Sequence, residues 1–83
     1  MDENNLIIEL KNMYEKAVNK KQVASIHLFG IKYKTELRGK NLKRIAREAT
    51  TKESYFSEIN KGMNLGTLLD ENHLLKEEHV KIN

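Results

Sequence analysis

From Asn41 to Gly62, NLKRIAREATTKESYFSEINKG, apolar residues return every three or four positions on both sides of a Thr-Thr pair. Leu42, Ile45, Ala46 and Ala49 draw one helical face, and Tyr55, Phe56, Ile59 and Met63 draw a second. Asn41 is suited to cap the first of these helices. Thr50 is followed three residues later by Glu53, the spacing of a capping box, so the second helix is expected to begin there and to stop at Gly62. Two short helices around a tight turn cannot bury both apolar faces alone. The rest of the chain must supply the cover.

The spacing of Leu6, Leu10, Met13, Tyr14, Ala17 and Val18 predicts a helix over residues 3–18, with Asp2 and Glu3 at its positive end. Residues 22–33 are the most apolar stretch. Phe29, Ile31 and Tyr33 alternate as in a strand, whereas Val23, Ile26, Gly30 and Tyr33 fit a helix. A helix over about 22–30 is preferred, because a lone strand in 83 residues has no sheet to join. Gly30 either ends that helix or admits a neighbour's backbone. His27 is expected at the edge of the core. Arg38, Gly39 and Lys40 form a turn. Residues 64–72 are expected to form a further short helix, and the tail 73–83 reads equally as a terminal helix, a partner-binding segment or a disordered end. The expected fold is all-α, a single domain over 1–83 in a bundle of four to five helices.

The chain contains no proline, no cysteine and four glycines. Without cysteine there is no disulfide, thiol nucleophile or zinc-thiolate site. His73 and His79 lie six apart, the wrong step for one helical face, so no metal is expected. No phosphate-binding glycine loop, GxSxG motif or triad can be assembled. An enzyme is therefore not expected, nor a cofactor. No run reaches the length of a membrane span and MDENNL has no export signal, so a cytoplasmic protein is expected.

Charge is distributed unevenly. Between Lys32 and Arg47 stand Lys32, Lys34, Arg38, Lys40, Lys43, Arg44 and Arg47, with Glu36 the lone acid, while the part after Thr51 is net acidic. A local positive field suits a polyanionic partner.

Asn41 to Gly62 resembles the helix-turn-helix of the phage-repressor, Xre-like class. It is also similar to small bacterial proteins described as HTH-like domain proteins, which share wording such as IHLFGIKY and SYFSEINKG. In that class a small residue stands where the helices cross, as Ala46 does. Ala49 matches the apolar residue before the turn, and Phe56 and Ile59 match the anchors of the second helix. Thr50 and Thr51 depart from the glycine and apolar residue usual in the turn, and threonine is poorly suited to positive φ. The resemblance implies a double-stranded DNA-binding regulator whose second helix, around residues 53–61, enters the major groove. Lys52, Glu53, Ser54, Ser57, Glu58 and Lys61 would then face bases. Lys40, Lys43, Arg44, Arg47 and Tyr55 would contact the sugar-phosphate backbone. A homodimer on two half-sites is expected. Two carboxylates on the groove face oppose this, and the alternative is a protein-interaction adaptor or inhibitor on the same scaffold.

Overall fold

The computed structural model describes residues 1–18 and 20–72. The described residues form an all-α fold: α1 (Glu3–Lys16), α2 (Gln22–Lys32), the single turn α3 (Lys34–Leu37), α4 (Leu42–Thr50), a 3-10 turn (Glu53–Tyr55) and α5 (Phe56–Glu71). The expectations for the tail 73–83 lie outside them.

Two of the helices, α1 and α4, begin at a side-chain cap. Asp2 caps α1 by accepting from the Asn5 amide at 2.8 Å. That helix stops two residues short of the expected 18, and Val18 lies on the surface rather than in the apolar stripe. The stretch 22–32 is helical, so the alternation of Phe29, Ile31 and Tyr33 is incidental. Gly39 takes φ 76° in the turn before α4, which favours glycine. Asn41 caps α4 through the Arg44 amide at 3.0 Å.

Leu6 and Leu10 from α1, Ile26 and Phe29 from α2, Leu37 from α3, Ile45 and Ala46 from α4, and Ile59 from α5 are buried together. Ala49 joins them, and Tyr14, Tyr55, Phe56 and Met63 pack around the cluster. This one core ties α4 and α5 to the helices before them.

Two expectations fail around α5. Gly62 does not end a helix, and no separate helix starts at residue 64. Phe56 to Glu71 is one continuous helix. Gly62 is buried because α2 crosses there. A Cβ on Gly30 would stand 2.5 Å from the Ile59 carbonyl oxygen and 2.8 Å from the Gly62 Cα. A Cβ on Gly62 would strike the His27 carbonyl oxygen, and one on Gly66 would crowd the Ile31 backbone. Three glycines thus let two helix backbones touch, the second of the two roles open to Gly30. The contacts pair 27 with 62 and 31 with 66, so α2 and α5 run in the same sense through the crossing.

The capping box is also not formed. Thr50 is the last, buried residue of α4 and its hydroxyl donates to the Ala46 carbonyl at 2.7 Å. That hydroxyl accepts from the Lys52 amide at 3.2 Å, one residue short of the box, and the Glu53 carboxylate turns to Arg47. The left-handed residue of the turn is Thr51, at φ 66°, not Thr50.

Candidate nucleic-acid interface

The pair α4–turn–α5 exposes a polar surface whose side chains are fixed largely by one another. Arg44 lies on the side of α4 facing α1. Its Nη1 donates to Glu3 Oε1 at 2.8 Å and its Nη2 to Asn4 Oδ1 at 3.1 Å. The other Glu3 oxygen accepts from the Asn41 amide at 3.0 Å. That backbone bond, with the Arg44 guanidinium beside it, holds the Glu3 carboxyl below the usual range. Arg44 therefore joins α1 to the start of α4.

Arg47 is turned to the acids around it, donating to Glu53 at 2.9 Å and lying 3.5 Å from Glu48. Glu58 faces α2. The His27 Nε2 donates to it at 2.6 Å and Lys61 approaches its second oxygen at 3.3 Å. His27 is the main reason the Glu58 carboxyl sits below its ordinary value, with Lys61 adding to it. Histidine 27 does occupy the rim of the core, and it has a specific partner there.

Lys43 reaches from α4 to the start of α5, its ammonium 5.1 Å from the centre of the Phe56 ring. Lys52 lies 5.3 Å over Tyr55. Tyr55 in turn packs 6.1 Å from Tyr14, whose hydroxyl is pushed up by burial and then by Tyr55. Such cation–aromatic placements orient a lysine without neutralising it. Lys40 is partly buried before the Asn41 cap, and Ser54 is exposed on the 3-10 turn. Ser57 donates its hydroxyl to the Ser54 carbonyl at 3.1 Å.

Eight of the eleven positions singled out from sequence thus fall into two sets, while Lys40 stands before the Asn41 cap and Arg47 and Glu53 bond to each other. Lys43, Lys52, Ser54, Tyr55 and Ser57 cluster at the junction of α4, the turn and α5, with Lys61 one turn further on. Arg44 and Glu58 face α1 and α2 respectively. Two further polar residues share the outer face of α5 with Ser57 and Lys61: Asn60 and Asn64, both exposed. Steps of three and four residues from Ser57 place them there. The sequence carries that spacing: an expected helix end at Gly62 leaves Asn64 off this face, whereas Asn60 lies inside the expected recognition helix and goes unassigned there.

An apolar groove of about 500 Å³ shares no residue with this surface. It runs between the end of α1 and the first half of α2, lined by Met13, Ala17, Val18, Ala24 and Leu28 with Lys16 and Lys21.

Two helices joined by a tight turn, seated on a common core and carrying a polar outer face, define a helix-turn-helix type of protein. A family model described as an HTH-like domain matches residues 2–72, and the chain belongs to that family. No curated protein and no solved structure matches the chain.

Proposed function

We propose that the protein binds double-stranded DNA through the outer face of α4, the turn and the first half of α5, as a small non-catalytic transcriptional regulator of the repressor kind in a bacterial or phage cell. The observation that carries this is the pairing of the two carboxylates expected from sequence on the groove face. Glu53 is matched by Arg47 and Glu58 by His27 and Lys61. The repulsion expected from two acids on this face is thereby offset within the protein. Lys43 and Lys52 keep their charge available and sit on either side of the junction. They can hold phosphates while the outer face of α5 meets base edges. One such unit covers a few base pairs, so two copies on half-sites one helical turn apart form the working assembly. Titrating the chain with a mixed-sequence duplex at increasing salt tests the proposal. Binding that weakens steeply with salt supports it, and no binding at low salt rejects it.

The adaptor alternative is favoured by the groove between α1 and α2, where Val18 and Leu28 are 66% and 56% exposed. Two large apolar side chains beside one hollow suit a protein partner. Leu28→Asp separates the two roles: it removes a partner held in the groove and leaves duplex binding unchanged.

A further inference from the structure

The polar side chains around the start of α5 divide into engaged and free. Glu53, Ser57, Glu58 and Lys61 each make a hydrogen bond within the protein, whereas the Lys52 ammonium over Tyr55 keeps its charge for a phosphate. Asn60 and Asn64 are exposed, and the hydrogen bonds of this face leave both amides unengaged among the described residues. Ile59, Gly62 and Gly66 lie on the opposite, buried side of the same helix. The two amides are therefore held on a rigid element, pointed away from the protein, with their bonding capacity unspent.

A primary amide offers a donor and an acceptor in one plane. In the major groove adenine presents the complementary pair, the N6 amino group and N7, and the match is bidentate. The free hydroxyl of Ser54 can bond to any base or to a phosphate, so it discriminates less. Asn60 stands four residues into α5, about 6 Å along its axis from Phe56. That places it within the N-terminal half that a recognition helix inserts. Asn64 is one turn, about 6 Å, further from the junction. We infer that Asn60 is the base-reading side chain of this face and that it selects adenine at one fixed position of the site. This deepens the DNA-binding function proposed above and rests on it.

The full chain is equilibrated at low salt with a pool of random-sequence duplexes and the bound fraction sequenced. The best duplex is then remade with 7-deazaadenine at one adenine at a time, which removes the N7 acceptor and keeps Watson–Crick pairing. One such change is expected to weaken binding about 5- to 150-fold. Asn60→Ala, which removes both bonds of the pair, is expected to weaken the unmodified duplex at least as much and to become indifferent to the deaza base. The substitution is at an exposed helical position, so circular dichroism is expected to show the parent fold. If Asn60→Ala keeps the parent's ranking of duplexes, if every adenine tolerates the deaza base, or if Asn64→Ala carries the loss instead, the assignment to Asn60 is overturned while DNA binding stands. If the chain binds no duplex at all, the binding function fails and the inference fails with it.

Discussion

Gly30→Ala tests the crossing that fixes α5 in place. At an open helical position, alanine in place of glycine stabilises by roughly 0.5–1 kcal/mol. Here the added Cβ would lie 2.5 Å from the Ile59 carbonyl oxygen and 2.8 Å from both the Gly62 Cα and the Met63 nitrogen. All three are backbone atoms of α5, so no side chain can rotate away. The helices must part by about 1 Å, which forfeits a quarter to a half of the dispersion energy at each contact along the seam. Overpacking of this kind costs about 1–3 kcal/mol, and two unyielding backbones put the cost at the upper end. Net of the helix-propensity gain, a destabilisation of about 1–2 kcal/mol is expected. A domain of this size has roughly 4–12 kcal/mol in total. The corresponding fall in Tm is about 5–15 °C. Urea unfolding followed by circular dichroism measures it, with Asn64→Ala, on the open side of α5, as the comparison that should not destabilise. If Gly30→Ala is as stable as the parent, α2 and α5 do not meet backbone to backbone, and the placement of α5's outer face is wrong.

Thr51→Gly is expected to stabilise the fold by about 0.5–1 kcal/mol, since the left-handed conformation costs threonine more than glycine's added chain entropy; a loss of stability in thermal unfolding would contradict the turn. Glu53→Gln releases Arg47 and removes a carboxylate from the DNA-facing side, so duplex affinity at low salt should rise about 3- to 10-fold by fluorescence anisotropy. Unchanged or weaker binding would place Glu53 elsewhere. The Glu3 and Glu58 carboxyls are held below their unfolded values, so their contribution is present above the ordinary carboxylate range and is lost as pH falls through their folded pKa values. Stability should decline below about pH 4, and the decline should be shallower in Glu3→Gln plus Glu58→Gln.

Most of the secondary structure was legible because periodicity reports a residue's own helix. Leu6 and Leu10, Ile45 and Ala46, and Ile59 stand buried where the three- and four-residue spacing put them. Asn41 caps as its side chain dictates. Gly62 is ambiguous in the sequence because a glycine has two uses. As punctuation it ends a helix, and as absent bulk it admits a neighbour, and only the neighbour distinguishes them. The capping box failed for a similar reason. Thr50 and Glu53 each had a stronger local partner, the Ala46 carbonyl and the Arg47 guanidinium. The candidate site was half legible. Sequence spacing brought Lys52, Ser54 and Ser57 to one face. It could not show that Glu58 bonds to His27, thirty-one residues earlier, or that Arg44 joins Glu3. Pairing across the core decides which charges remain available to a ligand, and that depends on tertiary contacts.

Arg44 also changes which residues test the function. Its removal would loosen α1 from α4, so Lys43 and Lys52, both exposed, are the residues to reverse. The decisive measurement is a duplex titration between about 20 and 200 mM salt on the parent and on Lys43→Glu plus Lys52→Glu. Three to five phosphate contacts predict a log–log slope of about −3 to −4.5, and the double variant should lose about 2 from that slope and bind at least about 10-fold more weakly with its fold intact. A parent that binds no duplex at the lowest salt, or a double variant that binds as tightly and with the same slope, contradicts a DNA-binding role for this face.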